Sequence, residues 1–488
     1  VTFCIKSLKL GGLTNMEINK IHNFLEENRE NIINHTKDLV EIPSVSENID
    51  KVKGALRLAI DKASNMGFKA YTVLNDSIGI IEMGEGKETI GILTHIDVVP
   101  ADDLEDWKTN PFEMVEKDGV LFGRGVLDDK GPIISALYAM DAIRKLNMPI
   151  KKKVQLIIGT QEEVEWTDMN EYVKKYPLPD YGFTPDGQFP ICNKEKGYAD
   201  ISFKFEGKCE DSIGNFKILD LQSGNATNSV PAVAKATLKG NLEELQAIVE
   251  AYIKENKDEK ISLKLDGENI IVTAQGIACH SAYPQQGVNP IIMIGKFLNT
   301  LNLTNNVGAK LVKFIAEFCY DYFGEGLGLY SESEYLDGEY MHRNIISPTV
   351  VKGRNDIYDI NLNMRPVYGT TVEGLKEPLN KVCESANCTF QIEDFLAPIF
   401  VSKEKPFLKI MEDTYNELSG LKNEFTLGHG TSYAKAMPNT VAWGPVFYDE
   451  DECCHIANEY MSVEKLLKAT EIYAVALARM VSTEDSLI

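Results

Sequence analysis

The sequence predicts an α/β fold in which a mixed-sheet domain, built from both ends of the chain, is interrupted by an inserted α+β domain. Three observations carry that expectation. At 488 residues the chain exceeds what one hydrophobic core usually accommodates. Up to Gly197, helical periodicities alternate with short apolar runs that read as buried strands. Beyond Gly197 the runs change to in–out alternation, the pattern of antiparallel sheet, and near residue 390 the helical pattern returns. The expected boundaries are 16–196 and 391–488 for the first domain and 197–390 for the insert.

Each element follows from its own pattern. Ile18, Ile21, Phe24, Leu25, Ile32 and Ile33 fall at helical spacing and predict one helix over 16–39, ended by Pro43. A second helix is expected over 49–66, where Gly67 stops it. Strands follow at 69–73, 77–83 and 88–93, and the apolar run Ile90 to Leu93 leaves His95 and Asp97 at a strand end, where sheets open onto active sites. Gly84-Glu85-Gly86-Lys87 is not a phosphate loop, because Glu88 stands where Ser or Thr is required and Ile81 where the first glycine belongs. A helix over 131–146 offers Ile133, Ile134, Leu137, Met140 and Ile143 to the core, and 153–159 is a buried strand. Inside the insert, 199–205, 234–238, 261–265 and 270–274 alternate as strands, with helices at 242–255 and 290–301. Helices over 406–418 and 462–480 complete the first domain.

Composition limits the function. A formal net charge of −23 repels nucleic acid and anionic membrane alike and suits a protein that collects cations. Nine cysteines without paired spacing point to reduced thiols in a cytosol, hence a cytoplasmic protein, and the vicinal Cys453-Cys454 reads as inert. No stretch approaches the roughly 20 apolar residues that a membrane helix needs. The opening fifteen residues are too short and polar for a signal peptide; one reading takes them as an upstream extension of the reading frame, with Met16 the functional start.

The chemistry-bearing residues gather at the ends of strand patterns. His95 and Asp97 are two apart on an extended segment and share a face, so His95 can ligate a metal while Asp97 fixes its tautomer. Asp128 follows the tight Gly123-Arg124-Gly125 turn. Glu162-Glu163 ends the strand at 153–159, where one carboxylate can reach a metal and the other the solvent beside it. Asp186 lies in the turn after 183–185, and His455 opens His455-Ile456-Ala457-Asn458-Glu459. Taken singly, each also fits an ordinary turn or a hydrogen-bonded side chain. Together, His95, Asp128, Glu163, Asp186 and His455 form a nitrogen and oxygen donor set without thiolate, which suits zinc, manganese or cobalt. Two such ions about 3.5–4 Å apart need a bridging carboxylate and turn a shared solvent molecule into hydroxide. An unliganded carboxylate must then take its proton, and Glu162 is the spare one. In the insert, His280 sits in a compact polar turn, Asn228 precedes Ser229-Val230-Pro231, and Arg365 ends a strand pattern.

The segments HIDVVP, GRGVLDDKGP, QEEV, TPDGQFP, GIACHSAYPQQGVNP, NMRP and HIANE, in this order from about Met16 to the end, resemble the cocatalytic-metal aminoacylase and dipeptidase superfamily, most closely the bacterial PepV-like dipeptidases. The resemblance implies a metallopeptidase catalytic domain with the insert as its lid. It implies that His95, Asp128 and Asp186 hold one metal and Asp128, Glu163 and His455 the other, with Asp128 bridging, Asp97 orienting His95 and Glu162 acting as general base and acid. It further implies that His280 stabilises the oxyanion, that Asn228 and Arg365 grip the substrate carboxylate, that Gly430 lies in the glycine-rich substrate loop, and that Asp128-Asp129 is a cis peptide. That loop departs from the family pattern, since His429 replaces a glycine and Lys435 an arginine. The expected function is a two-metal dipeptidase with a metal-bridging hydroxide as nucleophile, zinc foremost and manganese or cobalt as alternatives, acting on small dipeptides as a monomer. An N-acyl amino acid deacylase (deacetylase or desuccinylase) with the same site is the alternative.

Overall fold

A computed structural model of the chain describes residues 12–101, 104–207, 212, 214–336, 338–354, 357–450 and 453–488. The reading of the first residues as too polar for a signal peptide falls largely on 1–11, outside the described residues. Two compact units are formed: one of Val1–Lys194, Phe400–Thr426 and Ser432–Ile488, the other of Glu195–Ile399 and Leu427–Thr431.

The first unit is built on a mixed sheet. Lys69–Val73 pairs antiparallel with Ile78–Met83, which pairs antiparallel with Lys153–Gly159; Thr89–His95 then runs parallel to Lys153–Gly159 and to Tyr181–Thr184, with Thr440–Ala442 beyond. Ile78–Met83 is buried at every position, and Thr89–His95 and Lys153–Gly159 at every position after the first, because helices cover both faces and no alternation survives. His95 is in register with Gly159, so the turns that follow both strands leave from the same edge. The helix Lys130–Lys145 packs on Val463–Val481 inside this core.

One expected helix proves to be two, Asn15–Glu27 and Arg29–Val40. The break is at Asn28, whose backbone sits at φ −100° and ψ 7° and whose Nδ2 donates to the Phe24 carbonyl at 2.8 Å. A short amide that competes for backbone carbonyls interrupts the helix without moving the apolar positions off their face. Thr14 and Glu17 form a capping box at the start.

The second unit is an antiparallel sheet of eight strands in the order Ile261–Asp266, Asn269–Gln275, Val233–Lys239, Lys217–Ser223, Ile345–Arg354, Ile357–Arg365, Tyr198–Glu206, Thr389–Leu396. Alternate residues such as Ala199, Ile201, Phe203 and Phe205 enter a separate core with the helices Pro290–Leu298 and Val307–Phe318. Here the boundary expected at 390 is displaced. Thr389–Leu396 pairs with Tyr198–Glu206 as an edge strand, so the chain stays in this unit to Ile399. Leu427–Thr431 also belongs to this unit rather than to the C-terminal part of the first. No helix among the described residues is long and apolar enough to cross a membrane.

Candidate metal centre

Three parallel strands deliver acidic and imidazole groups to one edge of the first unit's sheet, the carboxyl end where open α/β sheets bind ligands. Thr89–His95 ends in His95, Lys153–Gly159 runs into Glu162 and Glu163, and Tyr181–Thr184 runs into Asp186. The remaining two groups arrive by another route. Tyr460–Ser462 pairs with Val120–Phe122, and this ribbon sets the 455–459 segment beside the 123–128 loop.

Asp128 lies at the centre. Its Oδ1 is 2.9 Å from His95 Nε2, and its Oδ2 is 3.1 Å from His455 Nε2. His455 Nε2 also lies 3.1 Å from Glu163 Oε2, and His95 Nε2 lies 3.8 Å from Asp186 Oδ2. Donor atoms of His95, Asp128 and Glu163 fall within 4.8 Å of one another, as do those of His95, Glu162 and Asp186. All five sequence-predicted ligands thus converge, and Glu162 joins them. His95 Nε2 and Asp128 Oδ1 are buried and close, yet neither has a hydrogen-bond partner. Two lone-pair donors aimed at a common point, with no thiolate among them, fit divalent cations. Asp128-Asp129 is cis.

The electrostatics show how much negative charge is confined here. Burial pushes Glu162 well above the usual carboxylate range, and repulsion from Asp186 adds to it. Burial, then Asp128, raises Asp186 to about 7. Burial would raise Asp128 too, but its interactions with His455 and His95 outweigh that and hold it below the usual range. Burial would lower His455, whereas Asp128 and Glu163 lift it to about 11.

Asp97 does more than was expected of it. Its backbone carbonyl, not its carboxylate, makes the closer contact with His95 Nδ1, at 3.0 Å against 3.5 Å. The carboxylate accepts from Ser46 Oγ at 2.8 Å and from the backbone N–H groups of Glu162 and Glu163, both at 3.2 Å. It therefore fixes the turn that presents both glutamates.

Other positioning residues escaped the sequence reading. Glu459, wholly buried, accepts from Arg124 Nη1 at 2.8 Å and from the backbone N–H groups of Gly125, Leu127 and Asp128 at 3.0, 2.9 and 3.2 Å. It holds the turn that carries Asp128, in which Gly125 takes a φ of +87° that a side chain would strain. Asp168 accepts from the Thr160 N–H at 2.6 Å and from the Tyr433 hydroxyl at 3.0 Å, and the Tyr433 ring meets His95 edge-on at 6.4 Å. A Cβ on Gly159 would lie 2.5 Å from that ring, so a glycine at this strand end lets Tyr433 in. The one available signal was that Glu459 falls within HIANE; Asp168 gave none.

In the second unit, His280 lies on Cys279–His280, in register with Ser229 of the strand Ser229–Val230, and the Asn228 carbonyl accepts the Ser281 N–H at 2.9 Å. His280 Nδ1 accepts from the Ala282 N–H at 3.1 Å, which leaves the proton on Nε2. Arg365 is 4% exposed, with its guanidinium 5.0 Å from the Tyr198 ring centre and its Nε unpartnered. A Cβ on Gly430 would meet nothing within 4 Å, so local packing does not demand glycine there.

Residues 91–479 match the family model described as peptidase family M20/M25/M40. A protein of Bacillus subtilis (strain 168) named "putative dipeptidase YtjP" is 30% identical over 462 residues, covering 92% of this chain and 97% of that one. A similarly named protein of Staphylococcus aureus (strain MW2) is 32% identical over 467 residues, covering 93% and 97%. Among solved structures, the fold is similar to human carnosine dipeptidase 1 (TM-score 0.58, 17% identity, 96% of this chain and 99% of that one) and to the dipeptidase Dug1p of Saccharomyces cerevisiae (TM-score 0.59, 14%, 97% and 100%).

Proposed function

This chain belongs to peptidase family M20/M25/M40 and is a metal-dependent hydrolase, and from that premise we propose that it cleaves dipeptides with a free amino end, using two divalent ions, zinc foremost. The observation that carries the reading is Asp128, whose two oxygens face different histidines as a carboxylate shared by two ions would. His95 and Asp186 would complete one site, Glu163 and His455 the other. When bound, the ions would polarise the scissile carbonyl and activate a water molecule.

The chain's own groups do the rest. Glu162 takes the proton of the attacking water and returns it to the leaving amine, the task of a carboxylate whose proton affinity burial has raised. Asp97 and Asp168 keep the turn bearing Glu162 in place through its backbone N–H groups. In the second unit, read as the lid, His280 donates through Nε2 to the developing oxyanion, and Asn228 and Arg365 take the substrate's carboxylate.

The test is a substrate panel on protein stripped of metal and refilled separately with zinc, manganese and cobalt. Dipeptides should be cleaved after refilling, and tripeptides and N-acetyl or N-succinyl amino acids should not. Preferential release of acetate or succinate would replace the dipeptidase reading with a deacylase. An active metal-free protein would remove the metal centre from the reaction.

A further inference from the structure

Four basic side chains meet within the second unit. Lys196 is 1% exposed, and its Nζ donates to His342 Nδ1 at 2.9 Å and to the Arg343 carbonyl at 2.6 Å, which uses two of its three N–H groups. His342 Nδ1 also lies 3.1 Å from the Arg343 carbonyl, so this ring nitrogen sits between a donor and an acceptor. The His342 ring meets that of His429 edge-on at 5.6 Å, and His429 in turn lies 5.0 Å from the Tyr283 ring. His429 Nδ1 is buried without a partner, as is Nε of the fourth member, Arg365.

Like charges are thus gathered where water is scarce. Burial and then repulsion from Arg365 bring Lys196 down to about 7; burial and then Lys196, His342 and Arg365 bring His429 down to about 4. The carboxylates nearby have other work. Glu334 pairs with Arg343 at 3.4 Å, and Asp200 accepts from the Tyr198 hydroxyl at 2.8 Å and from Asn363 Nδ2 at 3.1 Å. A buried cation beside a second one is costly until an anion arrives with its own lone pairs. One carboxylate on Arg365 leaves Lys196 uncompensated, so the cluster matches a ligand with two negative charges close together.

We propose that Lys196, His342 and His429 form an anion subsite that takes the acidic side chain of a substrate's C-terminal residue, beside the α-carboxylate assigned to Arg365. The subsite deepens the dipeptidase reading and rests on it for the identity of the ligand. Lys196 supplies its third N–H, and the arriving charge favours the protonated rings of His342 and His429, which then donate as well. His429 is also where the glycine-rich loop departs from its family pattern, so the departure acquires a function.

The metal-loaded enzyme should cleave alanyl-glutamate over alanyl-glutamine with a kcat/KM ratio of about tenfold or more, the scale of hydrogen bonds to a charged group. Lys196→Met should bring that ratio toward one. His429→Gly should do the same, and because His429 is only half-buried this second variant stands even where Lys196→Met does not fold. Calorimetry with glutarate should show binding to the wild type and at least tenfold weaker binding to either variant. A ratio near one in the wild type, with dipeptides still cleaved, overturns the subsite and leaves the dipeptidase reading standing. Cleavage of no dipeptide overturns that reading, and glutarate binding alone then decides the subsite. Inorganic phosphate binding more tightly than glutarate overturns the proposal in favour of a free-anion site.

Discussion

Asp128 divides its two oxygens between histidines that stand 360 positions apart in the sequence, and the groups around it fall into those that would touch metal or substrate and those that hold the former in place. Glu162 tests the division. Glu162→Gln keeps shape and removes proton transfer, so turnover should fall by at least about 100-fold while bound metal, measured by mass spectrometry, stays near the wild-type content. Loss of metal instead would move Glu162 among the ligands, beside His95 and Asp186. Glu459→Gln probes the second class. It strips a buried charge from Arg124 and weakens three backbone contacts, so urea unfolding should show a loss of about 3–5 kcal/mol, the cost of breaking a buried ion pair, together with weaker metal retention. Unchanged stability and metal content would mean that the 123–128 loop holds itself. Among the converging groups, His95, Glu163 and Asp186 were legible in the sequence because each follows an apolar strand run in a short polar stretch. Glu459 and Asp168 were not, because they act on backbone N–H groups, which a sequence does not display.

At the scale of elements, the parallel strands Thr89–His95, Lys153–Gly159 and Tyr181–Thr184 make the site a property of the sheet. Their neighbour Ile78–Met83 carries Glu82, which is in register with Gln155 and receives Lys153, Lys69 at 2.6 Å and Gln155 Nε2 at 2.9 Å. Burial would raise its pKa, but these donors pull it down to about 2. With the folded value depressed below the ordinary 4.5, the contribution to stability is complete above the ordinary value and drains away as pH falls toward 2. Glu82→Gln should therefore cost up to about 3 kcal/mol at pH 7 and progressively less below pH 4.5, read from urea midpoints across that range. A variant penalty that does not change with pH would assign the loss to packing. The buried strands could be read from their apolar runs almost to the residue. The break at Asn28 could not, since asparagine there leaves the helical spacing of Ile18 to Ile33 intact. Nor could the edge strand Thr389–Leu396, whose partner Tyr198–Glu206 lies nearly two hundred residues upstream.

For the whole molecule, a net charge of −23 sits well with a protein that must gather cations, and the family match over 91–479 spans both units. The insert was legible because its strand pattern changes; its true extent was not, because nothing in Leu427–Thr431 marks five residues as belonging to a different body. The backbone changes unit four times, after residues 194, 399, 426 and 431. Anyone cloning 195–399 as a free-standing piece would leave His429 behind. A faithful excision needs those five residues grafted on through a linker, and a permuted gene must open elsewhere than between 426 and 432.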